Sequence, residues 1–229
     1  RVNVYLHRDR AVIGLDLSGE SLHRRGYREA GGRAPLKENL AAAILRRAGW
    51  PKIYAAGGAC VDPLCGSGTL VIEAGMLAAE LAPGLHRGYW GFTGWRGHEV
   101  ESWQRVRTEA EERCREKAVR PIRVYGYDAD KNMIKIAIEN ARLAGLADRI
   151  QFTACLLHKL RRPPEAAGLV VANPPYGERL GDTRVLHHLY NQLGAKLLEE
   201  FTGWQAAVLT GSGELGKALG LRAHKVATV

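Results

Sequence analysis

One stretch decides the fold: Val61-Asp62-Pro63-Leu64-Cys65-Gly66-Ser67-Gly68-Thr69, which closes an apolar strand pattern and opens a helical one. Gly66 and Gly68 let the backbone turn sharply and approach a ligand closely, because neither carries a Cβ. The helix start that follows offers backbone amides to an anionic group. In an open parallel sheet this turn lies at the edge where ligands bind, although a glycine turn alone can also serve packing. Its spacing differs from GxGxxG and GxxxxGK[ST], which argues against a nucleoside triphosphate.

Outward from this turn, strand and helix patterns alternate along the chain. Strands are predicted at residues 59–62, 123–128, 150–153, 169–173 and 205–209, and helices at residues 70–81, 134–144 and 186–197. The first helix is apolar nearly all round, and the other two repeat apolar residues at helical spacing. This alternation predicts an α/β fold, a doubly wound, Rossmann-like domain whose mostly parallel sheet is covered on both faces.

The same patterns predict how the chain is organised. Residues 1–55 are expected to form a lead-in, with a β-hairpin (2–6 and 11–17) and a helix near 36–48, and residues 56–229 the main domain. Residues 82–120 interrupt the alternation with five aromatic side chains, for which a small core is favoured over RNA stacking. Residues 225–229 resemble a sixth strand, and the antiparallel strand that usually closes such a sheet is expected to be missing.

Composition limits the partners. The 229 residues carry 33 Lys and Arg against 24 Asp and Glu, and this formal net charge of +9 favours an anionic partner such as nucleic acid. No apolar run approaches the roughly 18–20 residues of a membrane span, and no signal peptide is visible. The four cysteines lack zinc-site spacing, so we expect reduced thiols, no metal site and a cytoplasmic location.

Two further motifs stand at predicted strand ends. Asp128 ends the second main strand, on the edge that carries the glycine turn, where a carboxylate can accept hydrogen bonds from both hydroxyls of a ribose. A plain cap or turn role is the alternative. Asn173-Pro174-Pro175-Tyr176 ends the fourth main strand. Because two prolines cannot continue a strand or donate to its neighbours, they predict a rigid loop with exposed carbonyls.

This loop suits methylation of an exocyclic amine on a nucleic-acid base. The side-chain carbonyl of Asn173 and the backbone carbonyl of Pro174 would accept the two amine hydrogens. Tyr176 would stack on a base that has been taken out of its helix. A proline-rich turn with a surface tyrosine is the simpler alternative, but the order of glycine turn, acidic strand end and this motif favours methylation.

That order of motifs is similar to the order in class I S-adenosylmethionine-dependent amino methyltransferases. Longer strings resemble one family, the catalytic domain of bacterial 23S ribosomal RNA guanine-N2 methyltransferases, which forms the first half of a two-headed large-subunit enzyme. The strings are Asp16-Leu17-Ser18-Gly19, Leu22-His23-Arg24-Arg25-Gly26-Tyr27-Arg28, Ala34-Pro35-Leu36-Lys37-Glu38, Ala82-Pro83-Gly84-Leu85-His86-Arg87-Gly88 and Asn173-Pro174-Pro175-Tyr176-Gly177-Glu178-Arg179-Leu180.

The resemblance implies roles for individual residues. Contacts to the cofactor S-adenosylmethionine are implied for Asp62, Pro63, Leu64, Cys65, Gly66, Ser67, Gly68, Asp128, Ala129, Leu36 and Lys37, and catalytic contacts to the target guanine for Asn173, Pro174, Pro175 and Tyr176. Leu156 departs from the pattern, because many relatives carry there an Asp that binds the adenine amine. Adenine recognition is therefore expected to fall to backbone groups.

Basic residues in the lead-in are candidates for RNA contacts. Arg24, Arg25 and Arg28 interleave with Tyr27, a composition suited to phosphate contacts beside a stacking ring, although a solvated turn would look the same. Arg179, in the last of the resembling strings, joins them as a candidate.

The sequence is interpreted as an enzyme that methylates the N2 amine of a guanine in 23S ribosomal RNA, by direct transfer and without a metal. Two alternatives stay open: an adenine-N6 methyltransferase acting on DNA, and a non-catalytic RNA-binding remnant, for which Leu156 is the only hint. Family members carry an RNA-binding module before this segment, and that module is expected to be missing here.

Overall fold

The computed structural model describes residues 1–28, 36–117, 119–176, 183–224 and 226–227. An antiparallel hairpin precedes a parallel sheet of five strands that is flanked by helices. The strands are β1 (Val2–His7), β2 (Arg10–Leu15), β3 (Ala59–Asp62), β4 (Val124–Asp128), β5 (Gln151–Ala154), β6 (Gly168–Ala172) and β7 (Gln205–Val208). The helices are α1 (Glu38–Arg47), α2 (Trp50–Ala55), α3 (Thr69–Ala78), α4 (Val100–Lys117), α5 (Lys131–Leu143), α6 (Thr183–Glu200) and α7 (Gly213–Ala218).

The main sheet confirms the predicted doubly wound order. Its strands lie in the order β5-β4-β3-β6-β7, and every neighbouring pair is parallel. The chain therefore builds outward from β3 to β5 and then starts again on the other side with β6. The reversal falls between β3 and β6, and a crevice for ligands opens beyond the carboxyl ends of strands at such a point.

The interior strands and α3 form the centre of the core. Every residue of β3 and β6 is buried, as their continuous apolar sequences require in a sheet covered on both faces. Nine of the ten residues of α3 are buried too, and Glu73 is the only charged residue among them. Sequence patterns missed α2 and α7, each only six residues long, and the strand predicted at 225–229 lies largely outside the described residues.

Buried polar contacts fasten the lead-in to α3. The Arg25 guanidinium donates to both carboxylate oxygens of Glu73 over 3.3 and 3.4 Å, and the Tyr27 hydroxyl donates to Glu73 Oε1 over 3.2 Å. Tyr27 is 1% exposed, Arg25 8% and Glu73 2%. Burial raises the pKa of Glu73, and the charge of Arg25 opposes that rise. The RNA contacts predicted for Arg25 and Tyr27 find no support in this arrangement, because both side chains are used inside the protein.

The predicted boundary near residue 55 does not separate two cores. Tyr27, Leu45 and Trp50 belong to the same buried cluster as Cys60 and Ile72 of the main domain. The Trp50 indole N–H also donates to the backbone carbonyl of Ala74 in α3, over 2.9 Å. Residues on both sides of the boundary therefore stabilise one another.

The aromatic insertion, for which a small core is predicted, holds a cluster of three half-buried rings. The rings of Trp90, Phe92 and Trp103 meet with centroids 5.0–5.7 Å apart, and the Arg87 guanidinium lies 4.5 Å from the centroid of the Trp90 ring. Edge-to-face contacts of this kind add to the stability from burial alone. Tyr89 and Trp95 are exposed and lie outside that cluster.

The hairpin presents one apolar face. Its register pairs Val2 with Leu15, Val4 with Ile13 and Leu6 with Ala11, so these six side chains lie on the same side. The five larger ones are 60–73% exposed. In the part of the chain that the structure describes, no helix is both long and apolar enough to cross a lipid bilayer.

We predict that Arg25→Ala destabilises the protein by about 3–5 kcal/mol, because it leaves the Glu73 carboxylate buried without its partner. The neighbouring Arg24→Ala is the matched control. Arg24 pairs with Glu20 on the surface at 3.7 Å, and loss of such a pair changes stability by no more than about 1 kcal/mol. Denaturant unfolding of both variants measures the difference.

The double variant Arg25→Met/Glu73→Gln is expected to recover most of the lost stability, because no charge then stays buried and Tyr27 keeps a hydrogen-bond acceptor. Equal unfolding midpoints for Arg24→Ala and Arg25→Ala would contradict the role given to this ion pair.

Candidate functional site

The glycine turn leaves β3 and leads directly into α3. Gly66 (φ +53°) and Gly68 (φ +86°) adopt the left-handed conformation that favours glycine. A Cβ on Gly68 would lie 3.0 Å from Ala137 of α5 and 3.0 Å from the Phe152 ring of β5, whereas a Cβ on Gly66 would meet nothing nearer than 3.9 Å. Gly68 is thus fixed by packing, and the backbone of Gly66 is open to a ligand.

Hydrogen bonds from neighbouring elements hold this turn. The Gly66 amide donates to Asp128 Oδ2 over 2.9 Å, and the Cys65 amide donates to the backbone carbonyl of Tyr127 over 2.8 Å. Asn140 of α5, which is buried, donates from Nδ2 to the Ser67 carbonyl over 3.0 Å. Sequence reasoning missed Asn140, although a polar residue three positions after Ala137 on the buried face of a helix was an available signal.

Asp128 is placed where the sequence predicted, at the end of β4 beside the turn. Besides the Gly66 amide, it accepts a hydrogen bond at Oδ1 from the Asp130 amide, over 2.9 Å. Each carboxylate oxygen has two lone pairs, so both can still accept from another donor. The predicted contact to ribose hydroxyls is compatible with this geometry and stays a prediction.

Asp62 contributes a second carboxyl group under the turn. Its Oδ1 accepts from the Leu64 amide over 3.0 Å, and the residue is 2% exposed. Burial, together with the charge of Asp128, raises the pKa of Asp62 to about 8. Burial and the same two carboxylates also raise the pKa of the Cys65 thiol, which keeps that side chain neutral and unreactive.

Arg28 ties the predicted cofactor residue Leu36 to the turn. Its Nη2 donates to the Leu36 carbonyl over 2.9 Å and to Thr69 Oγ1, in the residue after Gly68, over 2.6 Å. The Nε atom of Arg28 lies 3.6 Å from a carboxylate oxygen of Glu38. This side chain therefore works within the protein, next to the site, while Lys37 precedes α1 with an exposed side chain.

The Asn173-Pro174-Pro175-Tyr176 motif follows β6, the strand next to β3, so it lies at the same edge of the sheet as the glycine turn. Pro174 is buried and Tyr176 is 37% exposed. Within the described part of the chain, the buried side-chain oxygen of Asn173 has no hydrogen-bond partner. A buried oxygen without a partner is unfavourable, and a ligand donor would satisfy it.

The remaining predicted residues lie in the turn, beside the strands that flank it, or in the RNA-contact set. Pro63 and Leu64 lie within the turn, with Pro63 buried, and Ala129 is exposed directly after β4. Leu156 is exposed, and its backbone carbonyl accepts from the Lys159 amide over 2.8 Å. Arg179 lies outside the described residues, and Arg24 is exposed on the lead-in.

A doubly wound sheet with a glycine turn, two acidic strand ends and an Asn-Pro-Pro-Tyr loop at its switch point defines a class I methyltransferase, whose cofactor is S-adenosylmethionine. The residues present suit that cofactor, because Gly66 leaves room for it and Asp62 and Asp128 provide acceptors. The chain belongs to the family described as RMKL-like, methyltransferase domain, whose model matches residues 25–229.

Individual relatives agree with this assignment. The chain is 56% identical over 99% of its length to the ribosomal RNA large subunit methyltransferase K/L of Syntrophotalea carbinolica, and 52% identical over its whole length to the protein of that name from Methylococcus capsulatus. It spans about a third of the length of these relatives, 32% and 31%.

Solved structures are similar over nearly the whole chain. SMU.472, assigned to the methyltransferases and crystallised in complex with SAH, is 35% identical with a TM-score of 0.87, over 98% of this chain and 56% of that one. A predicted N6-adenine-specific DNA methylase from Listeria monocytogenes is also 35% identical, with a TM-score of 0.85, over 98% of this chain and 57% of that one.

We predict that Asp62→Asn changes how stability depends on pH. Because the folded protein raises the pKa of Asp62 from 3.8 to about 8, it binds a proton between these values that the unfolded chain has released. The contribution of Asp62 to stability is therefore complete below about pH 4 and is lost as the pH rises toward 8. The stability of Asp62→Asn relative to the wild type should rise over the same window.

Thermal unfolding without cofactor at pH 5 and at pH 8 measures this effect. Asp148→Asn, which removes an exposed carboxylate, serves as the control and should follow the wild type. Parallel pH profiles for Asp62→Asn and the wild type would refute the buried, protonated state.

Proposed function

We propose that this domain methylates the exocyclic N2 amine of a guanine in 23S ribosomal RNA. The observation that carries the proposal is the buried Asn173 side-chain oxygen, which has no partner among the described residues and lies at the edge that holds the glycine turn. An exocyclic amine supplies the donor that this oxygen lacks.

The residues of the site would act mainly by positioning. Asn173 Oδ1 and the Pro174 carbonyl would each accept one amine hydrogen, which increases electron density on the nitrogen and stabilises the positive charge that develops there. Tyr176 would stack on the extruded base. S-adenosylmethionine supplies an activated methyl group when bound. Transfer of that group would form the carbon–nitrogen bond as the carbon–sulfur bond breaks, and one amine proton would pass to water.

The choice of ribosomal RNA rests on the relatives. Those with 56% and 52% identity carry the name ribosomal RNA large subunit methyltransferase K/L. The net charge of +9 suits a nucleic-acid substrate, and of the three arginines at positions 24, 25 and 28, Arg24 has an exposed side chain that can contact phosphate. Such a substrate would place the protein in the cytoplasm, with the ribosomal RNA as its partner. The chain spans only about a third of the length of these relatives.

Methylation of adenine N6 in DNA is the second candidate. The Listeria monocytogenes structure is described as a predicted methylase of that type, and an adenine amine would satisfy Asn173 equally well. Incubation with labelled S-adenosylmethionine and either unmodified 23S ribosomal RNA or DNA, followed by digestion to nucleosides, separates the two. We expect label in N2-methylguanosine. Label in N6-methyladenine of DNA would overturn our choice, and a folded protein without cofactor binding in calorimetry would be a non-catalytic remnant.

We predict that Asn173→Ala abolishes methyl transfer but leaves the affinity for S-adenosylmethionine within about tenfold, or 1.4 kcal/mol. The variant loses the acceptor for the amine, whereas the glycine turn and both carboxyl groups remain. Label transfer and calorimetry measure the two quantities on the same preparation.

Asn191→Ala, an exposed amide on α6, is the control and should behave as the wild type. Near-normal turnover of Asn173→Ala would rule out the role assigned to its side chain.

A further inference from the structure

The loop after β7, residues 209–212, lies directly beside the Asn173–Tyr176 motif. The Leu209 amide donates to the backbone carbonyl of Ala172, the residue before Asn173, over 2.9 Å. The parallel pairing of β6 and β7 thus continues up to the point where both strands become loops. The start of the loop after β7 is therefore held next to the start of the Asn173–Tyr176 motif.

Gly211 in this loop contacts the ring of Tyr176. A Cβ on Gly211 would lie 2.7 Å from Tyr176 Cδ2 and 2.9 Å from Cε2, closer than carbon atoms can pack. The φ angle of Gly211 lies outside the left-handed region, so an alanine there meets no backbone strain. The three atoms nearest to such a Cβ all belong to the Tyr176 ring.

Thr210 fixes the backbone on which Gly211 stands. Its hydroxyl accepts from the Tyr190 hydroxyl over 3.2 Å and from the Ser212 amide over 3.2 Å, and it donates to the Ser212 carbonyl over 3.1 Å. Tyr190 is fully buried in α6. With its donor and both acceptor positions engaged, the Thr210 hydroxyl anchors the loop to the core.

We propose that Gly211 is a positioning residue, which sets the orientation of the Tyr176 ring and thereby the slot into which the target base stacks. The inference rests on the proposed function, because it assumes that Tyr176 stacks on that base. The loop after β7 supports the ring from one side, and the exposed 37% of the tyrosine remains available to the base. Gly211 touches no reacting atom and acts through Tyr176.

Gly211→Ala tests this role. Its Cβ should displace the half-exposed ring without unfolding the protein, and lower kcat/KM for RNA about 10- to 100-fold, while the affinity for S-adenosylmethionine stays unchanged. Gly213→Ala is the matched control, because a Cβ on Gly213 meets nothing within 4 Å. Equal turnover of Gly211→Ala and Gly213→Ala would overturn the proposal.

A double-mutant cycle separates a positioning role from a general structural one. In a Tyr176→Ala background, Gly211→Ala should have no further effect on kcat/KM, because the ring through which it acts is gone. Losses that multiply in the double variant would show that Gly211 acts by another route and would refute the inference.

A readout without substrate keeps the inference independent of the proposed function. In protein labelled with 3-fluorotyrosine, the ¹⁹F resonance of Tyr176, assigned with Tyr176→Phe, should shift in Gly211→Ala and stay in place in Gly213→Ala. An unmoved Tyr176 resonance overturns the positioning role. If the wild type methylates neither RNA nor DNA, the proposed function fails, while this spectrum still decides whether Gly211 orients the ring.

Discussion

The close approach of α5 and β5 to the backbone of Gly68 holds the site together. A Cβ there would lie only 3.0 Å from Ala137 and from the Phe152 ring, so the turn after β3 packs directly on the next two units of the fold. The same contact brings Asn140 to the Ser67 carbonyl and Asp128 to the Gly66 amide. The cofactor turn thus depends on packing that extends well beyond its own sequence.

Charge is distributed in two opposed ways. The protein as a whole is basic, which favours a polyanion, whereas the crevice holds the carboxylate of Asp128 beside the turn and the buried, protonated Asp62 beneath it. A cofactor with a positively charged sulfonium and ammonium group suits the Asp128 carboxylate. The net charge of the whole protein and the charge of its crevice thus favour partners of opposite sign.

Much of the parallel sheet could be predicted from the sequence, because buried parallel strands have continuous apolar sequences and their carboxyl ends meet at one edge of the sheet. That argument correctly brought Asp128 and Asn173 to the edge that carries the glycine turn. The roles of Arg25 and Tyr27 were predicted from local composition, which carries no sign of their partner Glu73, 48 and 46 residues away. Gly211 escaped notice for the same reason: only the folded chain brings it to Tyr176.

The salt bridge between Arg25 and Glu73 also has a consequence for the order in which its two partners are synthesised. Synthesis proceeds from the N-terminus, so Arg25 and Tyr27 are synthesised before α3. When this apolar helix collapses into the core, the groups that neutralise its single carboxylate are already present. The chain order thus places both hydrogen-bond donors of the Glu73 carboxylate ahead of the helix that buries it.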